Sequence, residues 1–300
     1  MRPHILLLTA LSIANPHLTH GQAYPADAEG WTSTGQDVRV IQVDGRSAFS
    51  LRSSRVFRRD VRLLDGTIDV DVRLTRTRSF AYVQFRMESE NDHEEFYLRP
   101  HKSDLPDAVQ YAPVFHGQSA WQLFHGPGGT ASVLFEPGRW TRVRVVLSGR
   151  RAALFVGDTV KPAVVVTRLA RDPKAGYIAL RSFLPPGTEA PEDPVAFANL
   201  VVRPGVVAYD FPTVADSGPP AGSVMHWEIS DAFPTLTNNR GSLPPGFDAT
   251  VWRPADAEPN GTLILGRDLR APTGARSWSA AARLRLRSDR EQTVPFDLGY

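Results

Sequence analysis

A chain of 300 residues is long enough for one large domain and a smaller second one. With 42% hydrophobic and 22% charged residues it has an ordinary soluble globular composition, and a net charge of only +2, with scattered arginines, argues against a nucleic-acid partner. There is no cysteine, which excludes disulfides, thiolate metal sites and a Cys nucleophile.

Residues 1–23 read as a signal peptide. Arg2 gives a positive start, Ile5 to Ala14 a short apolar core, and Ser12-Ile13-Ala14 and Gly21-Gln22-Ala23 two small-x-small cleavage sites. The run is too short, and too soon broken by Pro16, to span a membrane, and no later stretch approaches the ~20 apolar residues a span needs. A secreted or periplasmic protein with no membrane span is expected.

Arg39 to Val43 and Ser47 to Arg52 are short strands around the hairpin signal Asp44-Gly45. After the Asp65-Gly66 turn, Thr67 to Leu74 alternates, with Ile68, Val70, Val72 and Leu74 on one face and Asp69, Asp71 and Arg73 on the other. Phe80 to Met87 repeats the period, placing Ala81, Val83, Phe85 and Met87 opposite Tyr82, Gln84 and Arg86. In His93 to Arg99, Glu94, Phe96 and Leu98 oppose His93, Glu95, Tyr97 and Arg99, and Pro100 ends the strand. Ala108 to Val114 and Trp121 to Phe124 follow as strands, before the break at Gly126-Pro127-Gly128-Gly129. Trp140 to Leu147, Ala152 to Val156, Ala163 to Val166, Gly176 to Arg181 and Ala196 to Val202 complete about twelve strands between residues 31 and 203, an all-β sandwich or barrel. Residues 204–222, with PTVADSGPPA, form a linker. Residues 223–300 carry further strand candidates: Val224 to Ser230, Ala249 to Trp252, Thr262 to Leu265, Ser277 to Leu286 and Val294 to Leu298.

The densest run of aromatic, charged and amide side chains is 91–126. A sugar-binding sheet face needs flat aromatic surface and planar polar groups. Tyr97, Tyr111 and Trp121 are of the first type; Arg86, Glu95, Arg99, Gln110 and Gln122 are of the second. The same alternation also describes a solvated face of cross-strand ion pairs, such as Glu95 beside Arg86 or Arg99. Glu95, with His101 and Asp107 in the following loop, is the candidate set for acid–base chemistry; the alternative is a loop stabilised by local hydrogen bonds. Asp69 and Asp71 share a face but lack the E-x-D-x-x-E pattern of laminarinase-type glucanases. Arg142 and Arg144 read as a solvated face without acids. No cofactor is required by any motif; calcium is the one metal considered, through Asn91, Asp92 and Asp104.

Residues 31–203 resemble the concanavalin A-like jelly rolls, most closely the secreted bacterial domains grouped as LamG-like or 3-keto-disaccharide-hydrolase-like. The matching pieces are DGTIDVDVR (65–73), FAYVQFR (80–86), the run 91–126, GRW (138–140), AALFVGD (152–158), the Gly176 turn and AFANLVV (196–202). HWEIS (226–230) and FDLGY (296–300) look like the start of a second β-sandwich, which in such families continues past this strand, so a second, incomplete sandwich is expected. The resemblance implies a secreted carbohydrate-binding β-sandwich with an oligosaccharide or polysaccharide partner held in a concave-sheet groove. The alternatives are a glycoside hydrolase or lyase, and a non-catalytic structural or interaction module.

Overall fold

The computed structural model describes residues 21–295 except residue 36 and the segments 158–159, 214–217 and 236–242. Residues 1–20 of the expected signal peptide and the FDLGY segment lie outside the described residues.

Sixteen strands in the described residues build two sheets: β1 (Gln22–Tyr24), β2 (Thr32–Thr34), β3 (Asp37–Val43), β4 (Arg46–Arg52), β5 (Arg55–Leu63), β6 (Gly66–Arg73), β7 (Phe80–Ser89), β8 (Asp92–Leu98), β9 (Val109–Phe115), β10 (Gln118–Ser119), β11 (Thr130–Ala131), β12 (Trp140–Ser148), β13 (Arg151–Val156), β14 (Val164–Val166), β15 (Gly176–Phe183) and β16 (Val195–Pro204). Sheet A runs β14-β13-β12-β6-β16-β4-β3, with β1 also on β16. Sheet B runs β10-β9-β8-β7-β15-β5-β2, with β11 also on β9. Each is eight-stranded, and β5 leads into sheet A, β6 into sheet B. Strand pairs distant in sequence, such as β6 with β16 and β7 with β15, make this a jelly-roll sandwich. The sequence expectation of an all-β jelly roll holds.

The core lies between the sheets. Ile68, Val70 and Val72 of β6 meet Val83 and Phe85 of β7 and Phe96 and Leu98 of β8, all fully buried. These are the apolar halves of the alternating strands. Alternation fails at one place. Arg86 has φ 49, and the β7–β8 ladder shifts register between Phe85 and Ser89. This bulge reverses the parity. Met87 then packs outside the sandwich with Phe57, Tyr177 and Ala179 rather than with Val83 and Phe85. Arg86 turns to the inner end, donating from Nε to the Leu64 carbonyl at 2.8 Å and from Nη2 to the Gly149 carbonyl at 2.7 Å. Gly176 faces the bulge so closely that a Cβ there would stand 2.2 Å from the Arg86 carbonyl carbon.

On the outer face of sheet A, Asp69 and Asp71 are buried beneath arginines. β6 lies against β12 with Arg142 opposite Asp71 and Arg144 opposite Asp69. Arg142 Nε reaches Asp71 at 2.6 Å and Arg144 Nε reaches Asp69 at 2.7 Å; Arg203 also pairs with Asp69, and Asn199 donates to Asp71 at 2.7 Å. The expectation that Arg142 and Arg144 lack acids is therefore corrected: the acids come from a strand about seventy residues earlier, which the local sequence does not reveal.

Trp121–Phe124 is a single 3₁₀ turn, not a strand. Beyond the linker, β17 (His226–Ile229) sits between β19 (Arg253–Asp256) and β21 (Ala282–Arg283), while β18 (Phe233–Pro234) pairs with β20 (Trp278–Ser279). The expected strand at 262–265 leads instead into a one-turn helix, α1 (Leu265–Asp268). This segment has a small core around Ile229, Ala255 and Leu269, and Ile264 packs against Phe115 and Ala170 of the sandwich.

Candidate functional site

The outer face of sheet B collects most of the chemistry-bearing side chains. Residues directly opposite one another in an antiparallel ladder project to the same side. One such row runs Gln110, Tyr97, Tyr82, Arg181, Arg55, and the next runs Ala112, Glu95, Gln84, Ala179, Phe57. Five strands, β9, β8, β7, β15 and β5, thus place one continuous surface.

At its centre Gln84 Nε2 donates to Glu95 Oε2 at 2.7 Å and lies 2.9 Å from His93 Nε2. His93 Nε2 is 3.3 Å from the same Glu95 oxygen. All three side chains are buried. The two contacts of His93 Nε2 require different states: protonated there, it donates to Glu95; deprotonated there, it accepts from Gln84. Burial pushes the Glu95 carboxyl up, but the His93 hydrogen bond and charge, with Gln84 and Arg181, outweigh it and hold the group below its ordinary value. Gln84 Oε1 and His93 Nδ1 are buried without a hydrogen-bond partner among the described residues.

Towards β9, Tyr97 OH and Arg99 Nη2 both donate to Gln110 Oε1, at 2.8 Å and 2.9 Å. Gln110 Nε2 donates in turn to the Trp121 carbonyl. That bond anchors the 3₁₀ turn on the edge of the face, where the Trp121 side chain stands 43% exposed and Gln122 is exposed beside it. Towards β15, Phe80 lies 6.2 Å from Tyr82, 5.9 Å from Tyr97 and 5.9 Å from Phe183, ring centre to ring centre. The Arg181 guanidinium stands 4.7 Å from the Tyr82 ring and 5.5 Å from that of Phe183. Burial, above all, pushes the Tyr82 and Tyr97 hydroxyls up, so both remain protonated donors.

Of the residues singled out in the sequence, Glu95, Tyr97, Arg99 and Gln110 occupy this face, with Trp121 and Gln122 on its rim. Arg86 and Tyr111 do not. Arg86 is turned inward by the bulge, and Tyr111 is a core residue whose hydroxyl donates to Glu94 at 2.9 Å and accepts from the Ala170 amide at 2.9 Å. Glu95, His101 and Asp107 do not gather into one hydrogen-bonded group. Asp107 is held by Arg99 at 3.3 Å and Lys102 at 3.6 Å, while His101 packs edge-on to Phe80 at 5.2 Å. Burial, then Arg78 and Arg99, lowers His101 below the usual histidine value. The calcium candidates are also apart: Asp92 accepts from the His116 amide at 3.0 Å, and Asp104 accepts from Ser132 at 3.2 Å. Among the described residues no group of three or more His, Asp or Glu side chains is arranged to hold a metal ion.

Sequence reasoning put Tyr82, Gln84 and His93 on the polar strand faces without naming them as site residues, and passed over Arg181, Phe183 and Arg55. The signal for Arg181 was present, since Tyr177, Ala179, Arg181 and Phe183 alternate with Ile178, Leu180 and Ser182.

No family model matches the chain, and no curated protein matches it in sequence. Among solved structures it is similar to a prokaryotic β-1,3-1,4-glucanase (lichenase) derived from a mouse hindgut metagenome, at 10% identity and TM-score 0.47 over 62% of this chain and 99% of that one. It is similar to the carbohydrate binding module CBM66 from Bacillus subtilis at 14% identity and TM-score 0.42, covering 57% of this chain and 93% of the module. A galectin from Caenorhabditis elegans follows at 13% identity and TM-score 0.34, covering 58% of this chain and 95% of that one.

Proposed function

We propose that the protein binds carbohydrate on the outer face of sheet B. The observation that carries this reading is the strip of aromatic rings Phe80, Tyr82, Tyr97 and Phe183, interleaved with Arg181 and bordered by the exposed Trp121. Rings supply flat apolar area for the C–H faces of a sugar, and the flanking guanidinium, amide and phenol groups supply planar donors for its hydroxyls. The half-buried Phe80, Arg181 and Phe183 and the exposed Trp121 are the accessible parts; Tyr97, Gln110 and Arg99 form a hydrogen-bonded layer that ties down Trp121 through its carbonyl. Calorimetry against a panel of oligosaccharides tests it. Binding heat that disappears in Trp121→Ala is expected, and no heat with any sugar would overturn the reading. The N-terminal sequence adds the proposal that this occurs outside the cytoplasm, to be checked by fractionating cells that express the full chain.

A second reading, glycoside hydrolysis or lysis, has its own observation. The buried Gln84, His93 and Glu95 cluster brings a carboxylate and an imidazole together on the same face. Product release from the same sugar panel, lost in Glu95→Gln, is what catalysis requires; binding without turnover leaves the binding reading alone.

A further inference from the structure

The charges of this face do not cancel within the protein. Arg99 is matched by Asp107. Arg55 and Arg59 share one carboxylate, Glu90, at 3.4 Å and 3.3 Å. Glu95 is taken up by Gln84 and His93. Arg181 has neither an ion pair nor a hydrogen bond among the described residues; its guanidinium stands over the Tyr82 and Phe183 rings, within charge range of Glu95. It stands directly opposite Arg55 in the ladder, so two guanidinium groups neighbour each other in the middle of a largely buried surface. Like charges directly opposite on a sheet face are destabilising, and the one carboxylate whose charge reaches both, Glu95, is already hydrogen-bonded to Gln84 and His93. No carboxylate of the described residues hydrogen-bonds Arg181, which leaves room for an anion from outside.

We propose that the sugar bound here is acidic: a uronic-acid oligosaccharide whose carboxylate is received by Arg181 and Arg55 while its ring lies against Phe80, Tyr82 and Phe183. This rests on the carbohydrate reading above and specifies its substrate class. Arg181 lies over the two rings and makes no hydrogen bond among the described residues, so its fork of N–H donors stays available. That fork matches a planar carboxylate through two parallel hydrogen bonds, which a lysine or a neutral amide does not provide. The aromatic neighbours explain why the anion belongs to a sugar and not to a free ion: they offer apolar area that inorganic anions cannot use.

The test is calorimetry of the full chain with uronate trimers (galacturonate, glucuronate and guluronate), each beside its carboxyl-reduced neutral counterpart, and with a sulfated neutral trimer. At least one uronate is expected to bind roughly tenfold to a hundredfold more tightly than its reduced counterpart, the range of a charge-assisted hydrogen-bonded pair. Arg181→Gln should remove that difference and Arg181→Lys should restore only part of it, with circular dichroism confirming folded variants. Arg55→Met gives the same readout if the Arg181 variants do not fold. Equal affinity for acid and reduced trimers, or tighter binding of the sulfated trimer, overturns the acidic-sugar inference and leaves carbohydrate binding standing. No heat with any trimer overturns the acidic-sugar inference; the carbohydrate reading falls with it only if the wider oligosaccharide panel also gives none.

Discussion

Arg181 on β15 stands directly across the ladder from Arg55 on β5, two guanidinium groups on one face of sheet B. Burial, and after it the Arg181 charge, pulls Arg55 below the ordinary arginine value despite the nearby Glu90 and Glu95. A pair kept for stability would not look like this. Arg55→Met keeps an apolar stem on Phe57 and removes the like-charge contact, so the change in unfolding free energy should stay within about 1 kcal/mol of zero. Urea unfolding of the variant measures it. A loss above roughly 2 kcal/mol would mean that Arg55 holds the fold and is not kept for a ligand.

Trp121 should separate binding from stability in the opposite direction. Its side chain is 43% exposed and sits on a turn secured through its backbone carbonyl, not its ring. Trp121→Ala is expected to shift stability by no more than about 0.5 kcal/mol, while sugar affinity falls at least roughly tenfold, as for other aromatic anchors at a binding surface. Thermal melts and calorimetry on the same preparation check both halves. A melting temperature that falls with the affinity would make Trp121 a packing residue.

Period-two alternation made most of the sandwich legible. It assigned Ile68, Val70 and Val72, and separately Phe96 and Leu98, to the core, and left Glu95, Tyr97 and Arg99 together on the outer face. It misplaced Arg86 and Met87 because a bulge adds a residue without leaving a mark in the hydrophobic pattern. Tyr111 was recoverable: it is adjacent to Gln110, and neighbours in a strand cannot share a face. Arg181 and Arg55 were not recoverable as a pair, since β5 and β15 meet only through the fold's topology. The same holds for Asp69 with Arg144.

That second pair predicts a large effect from a small change. Asp69 is fully buried beneath Arg144, Arg203 and the edge of Arg142. Asp69→Asn leaves these cations beside a neutral amide, and breaking one side of a buried ion pair is expected to cost about 3–5 kcal/mol. Arg142→Gln removes a group 41% exposed at its side chain, so its cost should be near 1 kcal/mol or less. Chemical unfolding of the two variants gives the comparison. Equal losses would show that the carboxylate is not the centre of the cluster.

Gly176 tests the bulge that sets the outer face. A Cβ at this position would meet the Arg86 carbonyl carbon at 2.2 Å and the Met87 amide nitrogen at 2.4 Å, both backbone atoms that no rotamer change can move. Gly176→Ala therefore has to part β15 from β7, and overpacking of this kind costs about 1–3 kcal/mol or more. The expected result is a lower urea midpoint together with weaker sugar binding, because Tyr82 and Arg181 are neighbours in the same ladder. Full stability in the alanine variant would show that the two strands are less closely apposed than this geometry requires.

Glu95 predicts a pH dependence with a definite sign. Burial raises its carboxyl, but His93, Gln84 and Arg181 outweigh burial, leaving it below the ordinary value of 4.5 in the folded protein. A carboxyl that is more acidic folded than unfolded contributes stability that is fully present above 4.5 and fades as pH falls through the lower folded value. Glu94, on the inner side of the same strand, is shifted the other way by burial, so its charge opposes folding above 4.5 and acidification relieves it. Total stability against pH mixes the two. Subtracting Glu95→Gln from the unaltered protein removes Glu94, which both share. The difference in urea unfolding free energy should favour the unaltered protein at pH 7 and shrink as pH is lowered below 4.5. A difference that stays constant across that range, or grows on acidification, would mean that the Glu95 carboxylate is not held as an anion by His93 and Gln84.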